Sequence, residues 1–196
     1  MTGQGGRPWW RRGGRPATVD TGEPVLHEAA VAREVTGLEL PDPFDVRELV
    51  RLVAARRQRS IAVLPYPPHV VAQARAQHEP LPYGMWLAGS QQDFLFYRED
   101  TTAMHQQHVI LHELGHICLR HRTESIDDLA AAEVTGDPAT VLRAAKRTVY
   151  TDRQERAAEL FAYLVEERAG SLHGGAGALD RDQDRVIRRY RSLLED

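Results

Sequence analysis

At 196 residues, with 42% hydrophobic and 27% charged side chains, the chain has the composition of one globular domain with a real core, not of a low-complexity or fibrous protein. A formal net charge of −3 supplies no global attraction to nucleic acid or to an anionic membrane, and no apolar run approaches the roughly 20 residues that cross a bilayer. Cys118 is the single cysteine, which excludes an internal disulfide and a multi-thiolate metal site and favours a reducing compartment, so a cytoplasmic location is expected.

Residues 1–40 are rich in Gly, Arg and Pro without a sustained hydrophobic period, which predicts a disordered or extended N-terminal tail. Arg7, Arg11, Arg12 and Arg15 with Trp9 and Trp10 offer a surface for nucleic acid or a partner. Arg11-Arg12 is not followed by the apolar stretch of a twin-arginine signal. The rest of the chain has no basic excess, so direct nucleic-acid binding is not expected. The folded domain is expected over 41–170, with 171–196 forming a flexible link and a C-terminal helix.

Within that domain Phe44, Val46, Leu49, Val50, Leu52 and Val53 have the spacing of an amphipathic helix over about 44–58. Ile61 to Tyr66 is a short β-prone run closed by Pro65, Pro67 and Pro68. Tyr83–Ala88 and Phe94–Tyr97 are predicted strands joined by a turn at Gly89-Ser90-Gln91-Gln92. A strong helix follows over about 102–119, with Asp100 or Thr101 available as its N-cap. Residues 122–150 are expected as a loop with short helical pieces, and about 152–168 as a second strong helix ended at Gly170. Gly174, Gly175 and Gly177 lead to a charged helix over about 180–194. The expected fold class is α+β, a small three-stranded sheet, antiparallel or mixed, packed on a helical half.

The first strong helix carries His112-Glu113-Leu114-Gly115-His116, an H-E-x-x-H pattern. Residues four apart lie one turn along the same helix face, so His112 and His116 can converge on one metal ion. Glu113, beside the first histidine, can take a proton from water activated there, the general-base role. At about 100° per residue, Ile110, Leu111, Leu114, Ile117 and Cys118 form an apolar stripe. His105, His108, His112 and His116 form a second stripe opposite it, which predicts one face on the core and imidazoles facing a cleft. A pairing of His108 with His112 has the same spacing but lacks the adjacent glutamate. His105, about two turns from His112, is too far away to share its metal.

A catalytic zinc takes three protein ligands and leaves one position open. The metzincin pattern needs Gly and His three and six residues after His116, where Leu119 and Arg122 stand. The second strong helix instead offers Glu155 and Glu159 one turn apart, with Leu160, Phe161 and Leu164 on its core side. Ala158 and Ala162 flank the glutamates and are small enough for two helices to approach closely. One glutamate can bind metal while the other orients a ligating histidine through its second ring nitrogen, as in a gluzincin. Glu155 is the first choice of third ligand, with Glu159, His121 and His173 as alternatives. Asp152 and Glu155 also fit a capping box, in which Glu155 only closes the helix start.

With both helices in view, the chain resembles the ImmA/IrrE family of zinc metallopeptidases, in particular its small actinobacterial members called toxin components. The resemblance spans about residues 44–168. It rests on the hairpin, on Leu111-His112-Glu113-Leu114-Gly115-His116-Ile117, and on Arg147-Thr148-Val149-Tyr150 followed by Glu155-Arg156-Ala157-Ala158-Glu159-Leu160-Phe161-Ala162. It implies a zincin-like fold and one Zn2+ per chain held by His112, His116 and Glu155. Glu113 would then be the catalytic base and Glu159 a support. It also implies a protein substrate, a helix-turn-helix repressor, and so a role in transcription regulation. The chain departs from the family pattern at Glu159, where Asn or Asp is common, and in the long connection between the two helices.

The expected reaction is hydrolysis of a peptide bond, with Tyr150, Arg147, His105 and His121 as candidate contacts to substrate or to the developing oxyanion. The hairpin edge, ending at Tyr97, offers a place for an extended peptide as an added strand. The alternative is a non-proteolytic regulatory or toxin-component module that binds a helix-turn-helix partner. A deformylase would need a cysteine ligand before the H-E-x-x-H helix, and Cys118 comes after it.

Overall fold

The computed structural model describes residues 23–89, 92–121, 141 and 150–173. Among them the elements run α1 (Glu23–Thr36), α2 (Val46–Arg57), β1 (Ser60–Pro65), α3 (Pro68–Ala76), β2 (Gly84–Ala88), β3 (Gln92–Tyr97), α4 (Ala103–Cys118) and α5 (Asp152–His173). The chain is α+β, with five helices and one three-stranded sheet among these residues. No described helix is long and apolar enough to cross a membrane.

The sheet is mixed, in the order β1-β3-β2. β2 and β3 pair antiparallel from Gly84 opposite Tyr97 to Ala88 opposite Asp93, as a tight hairpin dictates. β1 pairs parallel with β3, Ser60 opposite Gln92 through Pro65 opposite Tyr97. A parallel pair needs a long connection, which the passage through α3 and β2 provides. Pro65, with no N–H to give, is tolerated because β1 is an edge strand and Pro65 its last residue.

Alternation along the strands divides the apolar side chains between two clusters. Ile61, Val63, Leu95 and Tyr97 face the main core with side chains of α1, α2, α4 and α5. Leu64, Met85, Leu87, Phe94 and Phe96 face the other way, onto Val70 and Ala74 of α3, Tyr66 and Val141. Asp45 caps α2 by accepting from the Glu48 N–H at 2.8 Å. At the other end of α2, Arg57 donates to the Ile117 carbonyl at 2.7 Å, fastening the last turn of α4. The buried Asp93 carboxylate is held by Arg59 Nε at 2.9 Å, and Arg59 also donates to the Gly89 carbonyl, so one guanidinium ties β1 to the hairpin.

Three expectations need correction. First, residues 1–40 are not all tail: Glu23–Thr36 is a helix, and residues 1–22 lie outside the described part. Val31, Ala32 and Val35 of α1, with Leu38 after it, are buried in the main core. Arg168 on α5 donates to the carbonyls of Val35 at 2.7 Å and Leu38 at 2.8 Å, tying the end of α1 to α5. The inward stripe of α1 is short and partly alanine, too weak a period to stand out from a Gly- and Arg-rich stretch. Second, Gly170 does not end the second strong helix, which continues to His173. Gly170 is exposed on that helix, where glycine costs only about 1 kcal/mol against alanine, and its neighbours Arg168 and Ala169 are anchored. Third, Thr102, not Asp100 or Thr101, caps α4 by accepting from the His105 N–H at 3.2 Å. Asp100 is engaged by Arg98 and Arg75 instead. The loop expected over 122–150 lies outside the described residues except at Val141 and Tyr150, as does the helix expected over 180–194.

If α1 belongs to the core, Val31→Ala costs about 2 kcal/mol of unfolding free energy, while Ala29→Ser on its exposed side changes it by less than about 0.5 kcal/mol. Denaturant unfolding of the two variants reads the difference, and equal small effects would return α1 to the status of a loose tail.

Candidate metal centre

The site is built where α4 crosses α5. A Cβ on Gly115 would stand 3.1 Å from Phe161 Cδ1 and 3.2 Å from the Ala158 Cα and carbonyl oxygen, so the two backbones approach closely here. Three residues before that crossing on α4 is His112, and one after is His116. Three before it on α5 is Glu155, and one after is Glu159. Positions three and four apart share a helix face, so all four polar side chains meet around one apolar crossing point.

His112 Nε2 and His116 Nε2 lie 3.1 Å apart, and His112 Nε2 lies 3.3 Å from Glu155 Oε2. His112, His116 and Glu155 form a group that could hold a metal ion, with one ligand atom from each, all within 4.8 Å of one another. Two nitrogens on one tetrahedral zinc stand about 3.3 Å apart, so the histidine spacing is close to that of a chelating pair. Glu155 Oε2 is buried and, beyond its 3.3 Å contact with His112 Nε2, makes no well-formed hydrogen bond, a carboxylate oxygen of the kind that a cation satisfies. The residues present therefore fit a divalent metal.

The second nitrogen of each imidazole is also engaged. His112 Nδ1 lies 3.3 Å from Glu159 Oε2, so Glu159 meets the far side of the His112 ring, while Glu155 is the glutamate in the group that could hold a metal ion. His116 Nδ1 lies 2.9 Å from His121 Nδ1, with the two rings edge to face. Tyr150 covers the face of His116, ring centroids 3.7 Å apart. Of the other candidates for third ligand, His121 is thus occupied beside His116. His173 ends α5 about 27 Å along the axis from Glu155.

Local structure delivers two of these side chains. α4 ends in a Schellman motif: Arg120 takes the left-handed region at φ 55°, its N–H reaching the Ile117 carbonyl at 3.2 Å, and the His121 N–H reaches the His116 carbonyl at 3.0 Å. That turn folds His121 back over His116. At the start of α5 the capping box is made by Thr151 and Gln154. The Gln154 N–H donates to Thr151 Oγ1 at 3.3 Å, and the Thr151 N–H to Gln154 Oε1 at 3.0 Å. The capping role that Asp152 and Glu155 could have filled is taken, and Glu155 faces His112 instead.

The histidine face of α4 is not an open cleft along its length: α4 is buried continuously from Val109 to Ile117, because α5 covers that face. Glu113 lies against the backbone of β2. A Cβ on Gly84 would come within 2.7 Å of both Glu113 Oε1 and Val109 Cγ1, so the strand must be bare there. The Trp86 backbone hydrogen-bonds the Glu113 carboxylate, whose Oε2 is buried without a hydrogen-bond partner. Burial pushes the Glu113 carboxyl up to about 7; His112 pulls it down and Glu155 adds to the rise. Burial opposes charge on His112, but Glu155 and Glu159 outweigh it and hold that imidazolium up to about 10. His116, pressed by burial and then by His112 and His121, is held well below the ordinary histidine range. Glu159 and Glu166 lift His108 to about 9.

The remaining candidates are distributed differently. His105 is held by Thr101 Oγ1 at 2.8 Å and packs on Tyr83, outside the ligand group. Arg147 lies outside the described residues, and Tyr150 is in the site against His116. The supporting role of His121 and the close approach of Gly84 to Glu113 had no sequence signal of their own: one depends on a non-glycine left-handed turn, the other on the sheet.

Two outcomes follow from this geometry. Gly115→Val, which drives a branched side chain into Ala158 and Phe161, is expected to cost about 1–3 kcal/mol and to weaken metal binding at least about tenfold. Unfolding and metal titration read the two effects. The folded pKa of Glu113 lies above its unfolded value, so ionising it costs stability as pH rises from about 4.5 to about 7. Metal-free Glu113→Gln should therefore gain about 3 kcal/mol over wild type between about pH 4.5 and pH 8; a gap independent of pH would contradict the burial of that carboxylate.

No family model, no curated protein and no solved structure matches the chain.

Proposed function

We propose that the chain is a zinc-dependent endopeptidase of the ImmA/IrrE type with a zincin-like fold. Its substrate class is a helix-turn-helix transcriptional regulator, and it acts in the cytoplasm. The observation that carries the reading is the convergence of His112 Nε2, His116 Nε2 and the Glu155 carboxylate beside the buried Glu113.

A zinc ion held by these three residues supplies Lewis acidity, lowering the pKa of water and polarising a carbonyl. The chain's own residues do the rest. His112 and His116 present their Nε2 atoms because Glu159 and His121 occupy the Nδ1 sides. Glu113 is the group that accepts the proton from the attacking water and passes it to the leaving amine. Its placement under β2, with one oxygen free of hydrogen bonds, suits a carboxylate that must gain and release a proton. Tyr150, stacked on His116, keeps that ring fixed.

The test combines metal content with hydrolysis of a helix-turn-helix repressor. Wild type is expected to carry near one zinc per chain, lost in His112→Ala and in Glu155→Ala. Glu113→Gln is expected to retain zinc and lose hydrolysis by roughly 10²–10⁴-fold. Full activity in Glu113→Gln would remove the general-base role. Absence of metal from wild type after zinc addition would favour a non-proteolytic module that binds the regulator without cutting it.

A further inference from the structure

Glu159 does not stand alone beside His112. His108 Nε2 also lies 3.3 Å from Glu159 Oε2, and His108 Nδ1 lies 3.3 Å from both carboxylate oxygens of Glu166. His108 precedes His112 by one turn of α4, and Glu166 follows Glu159 by about two turns of α5. The four side chains thus form a ladder across the helix pair, Glu166–His108–Glu159–His112, each step 3.3 Å.

The ladder runs from a partly exposed end to a buried one: side-chain exposure is 29% for Glu166 and His108, 31% for Glu159 and 9% for His112. A glutamate with that much exposure has three rotatable bonds and water to compete for its oxygens, so contact with His112 alone would hold it loosely. An imidazole engaged at both nitrogens removes that freedom. His108 is not a metal ligand in this arrangement, because its two nitrogens point to opposite carboxylates and neither belongs to the group formed by His112, His116 and Glu155.

We propose that His108 is a positioning residue: clamped by Glu166, it holds Glu159 where its Oε2 meets His112 Nδ1, and so fixes the His112 ring with Nε2 turned to the metal position. The inference rests on the metal reading above and adds to it a support beyond Glu159. It also accounts for a histidine at 108 that the H-E-x-x-H pattern does not require.

The experiment titrates zinc into the full chain in competition with a chromophoric chelator. It uses wild type, His108→Phe, Glu159→Gln and the double variant, with unfolding of each metal-free protein recorded alongside. His108→Phe is expected to bind zinc about 10–100-fold more weakly while its metal-free unfolding midpoint stays close to that of wild type. In the Glu159→Gln background the same substitution is expected to add no further loss, because His108 acts through Glu159. His108→Gln, whose amide still donates to one carboxylate, and Glu166→Gln, which frees the outer end, should each lose less than His108→Phe. Both keep the test valid if the phenylalanine variant folds poorly. Zinc affinity in His108→Phe within about twofold of wild type, or the same fold loss in both backgrounds, would overturn the proposal. A wild type that takes up no zinc overturns the metal reading and this inference together. One that binds zinc without cutting peptide removes the peptidase reading alone.

Discussion

The close contact of Gly115 with Ala158 is the constraint on which the rest of the centre depends. A Cβ at 115 would already press on Ala158 and Phe161, and a branched side chain would force α4 and α5 apart and loosen the polar pairs on either side of the crossing. With the backbones this near, short imidazole and carboxylate side chains span the gap, and the helices need no loop to assemble the site. Leu111, Leu114, Leu160 and Phe161, all fully or almost fully buried, pack on the apolar sides of the same helices and resist their separation.

Burying His112, Glu113 and His116 at 7%, 4% and 0% exposure, with Glu155 and Glu159 close by, would be costly if each group stood alone. The arrangement limits that cost by pairing. His112 shares its charge with two carboxylates, His116 stays neutral against His121, and Glu159 is shared between His108 and His112. Glu155 Oε2 keeps only a loose 3.3 Å contact with His112 Nε2, and Glu113 Oε2 has no hydrogen-bond partner. In the proposed reading those atoms belong to the metal ligand and the base, where a carboxylate oxygen short of hydrogen bonds is a functional asset. The sheet contributes through β2, whose bare backbone at Gly84 makes room for Glu113 and whose backbone at Trp86 hydrogen-bonds its carboxylate.

Helix ends matter as much as helix faces. The Thr151–Gln154 capping box satisfies the first turn of α5 and leaves Glu155 for the metal group. The left-handed Arg120 closes α4 and carries His121 to His116, at a cost of roughly 1–2 kcal/mol for a non-glycine residue in that region. In an ordinary Schellman motif an apolar contact joins the corresponding positions; here two imidazoles meet instead, so a routine helix stop also fixes the far side of the His116 ring.

What the sequence determined by itself is what depends on local periodicity. The i, i+4 spacing of His112 and His116 puts them on one face whatever the surrounding fold, and the same holds for Glu155 and Glu159. The strands, α2, α4 and most of α5 follow from apolar runs of period 2 or 3.6, and the three-stranded sheet from the hairpin and the run at Ile61. Tertiary structure decided which glutamate meets the histidines' Nε2 atoms, because that depends on the crossing point at Ala158 and on which residues cap α5. It also decided that α1 belongs to the core, since Val31, Ala32 and Val35 make a stripe that packing on α5 completes. The roles of Gly84, His108 and His121 were out of reach for the same reason: each is defined by a partner that the chain brings near only on folding. Periodicity is a property of neighbours in sequence, whereas a ligand set is a property of neighbours in space.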